Sequence, residues 1–267
     1  MNQPMRVESA SLGRLAELSA RLARRDPGLR HARLSFWDKF QKKRIAYTPD
    51  HLVPPECLYF RGRDWQPLNS PRVLAVGGTQ SPSSMGAIAA FAVGRMSAEA
   101  GWVSVSGGVY GVDMLAQLGA LDVAGTTYSV VAHNVTKGLH PGEPRRERFE
   151  ADILSSGGIL SEHADEMERT GYRILQRDRI ITGLADQFFV VESRPASGTI
   201  DAAKRAYLQG RKVVAIDWSR LAFLKSHAVA SGNDQLLASG TASPFPKTKL
   251  GSWSAFLDCL GELLRAR

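Results

Sequence analysis

Beyond residue 72 the sequence alternates short, largely apolar runs with segments of helical length. No other feature constrains its fold as strongly. The runs lie at 73–76, 103–105, 127–131, 158–160, 187–191 and 212–216. A strand that is apolar at every position has both faces covered, whereas a half-solvated strand alternates. The segments between them, at 84–100, 113–123, 176–184 and 199–208, are long enough for helical crossovers. The expected class is therefore α/β, a doubly wound parallel sheet with helices on both faces.

The flanks read differently. Residues 1–49 hold eleven Lys or Arg against Glu8, Glu17, Asp26 and Asp38, whereas the rest of the sequence is nearly neutral. This part is expected to be a basic helical N-terminal extension: Leu12, Leu15, Leu18 and Leu22 form one stripe over 9–25. A second stretch, 34–45, mixes Phe36, Trp37 and Phe40 with lysines, a pattern that suits base stacking or packing within the fold. Such an arm matches a polyanion, or is simply a solvated helix pair. Residues 50–71 form a proline-rich, irregular lead-in with one short strand at 58–60, 72–245 the main domain, and 246–267 a C-terminal tail with a helix at 252–264.

Composition excludes several classes. With 267 residues, 43% hydrophobic and 22% charged, the protein is neither disordered nor fibrous. Cys57 and Cys259 are too few for a disulfide framework, no metal spacing is visible, and no apolar run approaches a membrane span. The expectation is a cytoplasmic protein without metal, cofactor or membrane contact. His133, His140 and His163 make no triad and are expected at the surface or as caps, and Ser83 and Ser84 as helix caps.

Three loops at the carboxyl ends of strands are built from small residues. The first carries Gly77, Gly78, Thr79 and Gln80; the second Ser106, Gly107, Gly108, Gly111 and Asp113; the third Ser197, Gly198 and Thr199. Glycines admit close backbone approach and helix starts offer free N–H groups, so the three together form a candidate phosphate site. Each also serves as an ordinary tight turn. Arg177 and Arg179 lie between the second and third loops. Two residues apart, they cannot share a helix face; both meet one phosphate only if the segment starts irregularly. Otherwise one pairs with Asp178, Asp186 or Glu192.

From about Pro55 to Gly240 the sequence resembles the DprA family of DNA-processing proteins, also called Smf. The likeness rests on Pro55–Gly62, Val76-Gly77-Gly78-Thr79, Ser106-Gly107 with Gly111 and Asp113, Arg177 with Arg179-Ile180-Ile181 and Gly183-Leu184, Val190-Val191-Glu192, and Ser197-Gly198-Thr199. It implies a Rossmann-like sheet that binds single-stranded DNA through a basic pocket, delivery of that strand to a recombinase, and a homodimer. Thr79, with Gln80 beside it, stands where the family carries an arginine, Ile174-Leu175 replaces its Phe-Pro, and Asp178 its asparagine. The winged-helix domain that many members carry after the core is not expected.

Three functions stay open. The first is a DNA binder, without turnover, that works in uptake, recombination or defence. The second senses, or less plainly hydrolyses, a nucleotide-like small molecule: the wider superfamily includes lysine-decarboxylase-like phosphoribohydrolases, whose Gly-Gly-x-Gly-Thr-x-Glu loop resembles Ser197-Gly198-Thr199-Ile200-Asp201. Asp201 and Arg179 would then act on a ribosyl group. The third is a scaffold with a degenerate pocket and a protein partner on the N-terminal arm.

Overall fold

A computed structural model describes residues 5–8, 55, 57–139, 147–163, 171–224 and 230–266. Among the described residues nine strands form one sheet: β1 Met5–Glu8, β2 Cys57–Gly62, β3 Val73–Gly77, β4 Val103–Ser106, β5 Thr127–Val130, β6 Gly158–Ser161, β7 Gln187–Val190, β8 Lys212–Ile216 and β9 Ser243–Phe245. Their spatial order is β1-β2-β6-β5-β4-β3-β7-β8-β9. Strands β3 to β9 are mutually parallel, and β2 and β1 extend the β6 edge in antiparallel fashion. The helices are α1 Ser84–Glu99, α2 Val112–Asp122, α3 Glu147–Ser156, α4 Gly171–Leu184, α5 Gly198–Leu208, α6 Ser231–Ala238 and α7 Trp253–Arg265.

The continuous apolar runs arise because alternate residues serve two cores. Val73, Ala75, Phe188 and Val190 pack on one face against Ile180, Ile181 and Leu184 of α4 and Ile200 and Ala203 of α5. Leu74, Val76, Phe189 and Val191 face the other way, onto Ala89, Ala90 and Val93 of α1 and Ala116 of α2. Phe256, Leu260 and Leu264 of α7 join this second core. The helix expected in a C-terminal tail is therefore part of the main packing. The sheet and its two helical layers are the doubly wound, Rossmann-like arrangement expected from the sequence.

Several elements escape a reading of the sequence. β1 pairs with β2, setting Met5 opposite Phe60, in a part expected to be helical. The helix expected at 9–25 and the aromatic stretch at 34–45 lie outside the described residues. β2 is longer than the expected 58–60 and buries Leu58 and Phe60 while Tyr59 and Arg61 stay half-buried. α3 offers only Phe149 and Ile153 to the core, and β9 is three residues containing a proline, so neither carries a period long enough to read. No described helix is long and apolar enough to cross a membrane.

Candidate functional site

The polypeptide leaves β3 toward β4, β5 and β6 on one side, then returns to β7 and continues to β8 and β9 on the other. β3 and β7 are therefore the neighbours at which the winding reverses, the place where parallel sheets leave a crevice beyond their carboxyl ends. A cleft of about 430 Å³ opens there. Gly77 to Ser81, Ser106, Asp113, Arg177 and Ser197 to Thr199 line it, with Ile174, Ile181 and Phe188 as an apolar wall.

The first loop is held from below. Thr79 N donates to Glu192 O at 2.7 Å, and Val112 N donates to Thr79 O at 3.2 Å. Ser83 caps α1, accepting from Gly86 N at 3.0 Å. Its own N and Oγ donate to the two carboxylate oxygens of buried Glu192, at 2.8 and 2.5 Å. The positive end of α1, expected to be available to a phosphate, thus already holds a carboxylate of the same protein. Glu192, named from the sequence as a possible partner of an arginine, is here the partner of Ser83.

In the second loop Gly107 N donates to Asp113 Oδ2 at 3.1 Å, and Ser106 Oγ donates to Val76 O at 2.8 Å. Arg177 reaches into this loop from α4, donating through Nη1 to Val130 O at 3.0 Å with Nε 3.1 Å from Asp178 Oδ1. Gly107 lines a small depression beside the cleft, Gly108 turns the backbone at φ 63° against Ser129, and Gly111 lies on the outer side. Burial pushes the Asp113 carboxyl up to about 6 against the opposing pull of Arg177, and burial likewise raises Asp178 against Arg177 and Arg205. The floor is therefore a compensated ionic cluster.

Arg179 does not join it. Two residues further along the helix it points away, and its Nη1 and Nη2 meet Glu162 Oε1 and Oε2 at 2.8 and 2.6 Å. Burial works to raise the Glu162 carboxyl, but the Arg179 hydrogen bonds and charge prevail and hold it below its ordinary value. α4 is helical from Gly171, so the irregular start that would have aimed both arginines at one phosphate is missing.

The third loop is the open one. Ala196 has φ 52°, and Ser197 precedes α5 without capping it. Ser197 Oγ is buried and has no hydrogen-bond partner among the described residues. A Cβ on Gly198 would meet nothing within 4 Å, so this helix start borders unfilled space, and the first N–H groups of a helix have no partner within it. Asp201, in the same turn, leans back onto Arg205 Nε at 2.7 Å, and Ala202 takes the lining position. The acid that a hydrolase of this kind would need is thus not presented to the cleft.

Two further placements depart from the sequence reading. His133 is buried, with Nε2 2.8 Å from Gly138 O, rather than at the surface. Arg194, which belongs to none of the motifs above, is exposed and lines the cleft beside the third loop. A lone arginine in a Ser-Arg-Pro-Ala turn carries no pattern that would mark it.

Comparison with known proteins agrees with this architecture. The family model of DNA recombination-mediator protein A matches residues 40–250. The sequence is 31% identical to the DNA processing protein DprA of Bacillus subtilis over 167 residues, 62% of its own length and 54% of that protein. With the counterpart from Streptococcus pneumoniae the identity is 30% over 189 residues, 70% of its own length and 64% of that one. The protein thus spans about half the length of the Bacillus relative. Among solved structures, Helicobacter pylori DNA processing protein A, described for its single-stranded DNA binding mode, superposes with a TM-score of 0.66 at 23% identity. That match covers 83% of this molecule and 94% of the other. The Streptococcus structure gives a TM-score of 0.61 at 27% identity, covering 72% and 64%. A family match across most of the sequence, joined to the fold just described, places this protein in the DNA recombination-mediator protein A family.

Proposed function

We propose that the protein binds single-stranded DNA and seats backbone phosphates at the start of α5, under the exposed guanidinium of Arg194. The observation that carries this reading is the contrast between two helix starts at one cleft. α1 is filled by Glu192, whereas α5 is open, with Ser197 Oγ, which has no hydrogen-bond partner among the described residues, beside it. Free N–H groups at a helix start, a hydroxyl and an exposed arginine are the donors that a phosphate takes. Arg177 supports the floor and is balanced by Asp113 and Asp178. The Helicobacter relative's single-stranded DNA binding points to the same ligand class.

Family membership supports a role in processing and recombination of incoming DNA, in a cytoplasmic homodimer, with the basic arm over 1–49 adding non-specific affinity or a protein contact. No turnover is expected. Fluorescence anisotropy with labelled oligo-dT tests the reading. Arg194→Ala should weaken binding about tenfold and flatten the dependence of log affinity on log salt by roughly 0.7, the share of one phosphate contact on a single strand. Binding that Arg194→Ala leaves unchanged, but that replacement of the Lys and Arg residues over 14–44 by Gln abolishes, would move the DNA site to the arm. A cleft of this size also holds a mononucleotide. A thermal shift with mononucleotides, in a protein that ignores oligo-dT, would replace the strand with a small ligand.

A further inference from the structure

A second concavity of about 630 Å³ adjoins the cleft on its outer side. Tyr110, Met114, Leu115 and Leu118 line it, and Gln80 and Ser81 belong to both depressions as their common rim. The two loops that make this rim are bolted together, with Val112 N on Thr79 O and Gly111, φ 90°, so close under Thr79 and Gln80 that a Cβ there would collide with them. The outer trough therefore keeps a fixed position relative to the cleft.

Its chemistry is the complement of the cleft's. The cleft carries Arg177, Arg194, Asp113 and Asp178, whereas no charged residue among those described lines the trough. Tyr110 is 46% exposed, and of the large hydrophobic side chains exposed among the described residues it is the one that lines this trough. An exposed aromatic ring in a depression also lined by a methionine and two leucines suits a flat, neutral group. The Gln80 amide at the rim both donates and accepts, as the edge of a base does. Resting on the reading that the cleft takes a strand's phosphates, we infer that the trough is a nucleobase site, in which a base next to a seated phosphate stacks on Tyr110.

The test compares labelled oligo-dT with a wholly abasic deoxyribose-phosphate strand of equal length, using anisotropy on wild type, Tyr110→Phe and Tyr110→Ala. Wild type should prefer the intact strand, and Tyr110→Phe should keep that preference. Tyr110→Ala should bind oligo-dT about tenfold more weakly, the size of a lost base stack, and bind the abasic strand as wild type does. If Tyr110→Ala binds both strands like wild type, or loses both equally, while Arg194→Ala still weakens binding, the nucleobase site is wrong and the phosphate cleft stands. If wild type binds neither strand, both fall. If sedimentation shows an assembly that Tyr110→Ala dissolves, while strand binding is unchanged, the trough holds a second copy instead. Should Tyr110→Ala fail to fold, equal binding of the two strands by wild type would itself overturn the site.

Discussion

Arg177 fills the space that a side chain on Gly107 would need: a Cβ there would collide with Nη1 and stand 2.8 Å from Asp113 Oδ2. The glycine of the second loop is thus explained by an arginine seventy residues away in sequence. It leaves room for the cation that serves two buried carboxylates.

Gly107→Ala should therefore act like a partial loss of Arg177. Displacing the guanidinium strands Asp113 and Asp178 in a buried setting, at a cost of about 3 kcal/mol. Urea unfolding at pH 7 checks this, and Arg177→Ala should lose as much or more. Both losses should shrink at pH 5, where the stranded carboxyls take up protons. An undiminished loss at pH 5 would show that charge is not the cause.

The two arginines of α4 should separate by phenotype. Arg179→Ala breaks the buried pair with Glu162 and should lower stability by about 2–4 kcal/mol while leaving oligo-dT affinity unchanged. Paired unfolding and anisotropy measurements decide it. A large loss of affinity in a folded Arg179→Ala protein would return this residue to the DNA site.

Asp113 gives the molecule a pH dependence of definite sign. Its folded pKa, about 6, lies above the unfolded 3.8, so its contribution to stability is complete below the unfolded value and is lost as pH rises through 6. The same protonation removes a negative charge from the cleft lining. Strand affinity should therefore rise as pH falls from 7 to 5.5, and Asp113→Asn should flatten that rise. An equal rise in Asp113→Asn would assign it elsewhere.

The last helix should behave as core. Phe256 is fully buried, stacked on Trp253 at 4.6 Å and edge-on to Phe245 at 5.3 Å. Phe256→Ala should cost about 3–5 kcal/mol, read by thermal or urea unfolding. A loss below about 1 kcal/mol would instead make α7 an appendage.

Legibility follows the range of the forces involved. Strands β3 to β8 are readable because burial on both faces leaves runs of small and apolar residues, continuous in Val73–Gly77 and broken by serines in Val103–Ser106. The three small-residue loops are readable because glycine and serine mark chain reversals. β1 is not, since four residues on a sheet edge owe their form to Phe60 and its neighbours in β2. Arg194 is not, because a single exposed charge has no period.

The sequence by itself determined the doubly wound sheet, the loops at its carboxyl ends and the resemblance that names the family. These depend on local pattern and on the summed preference for burial. Only the tertiary structure decided which charges are spent. Glu192 fills the start of α1, Asp201 turns back to Arg205, and Arg179 is taken by Glu162, while the start of α5 stays open beside Arg194. Electrostatic pairing acts through space over a few ångströms and between residues far apart in sequence. No reading along the sequence can tell a bound charge from one left for a ligand.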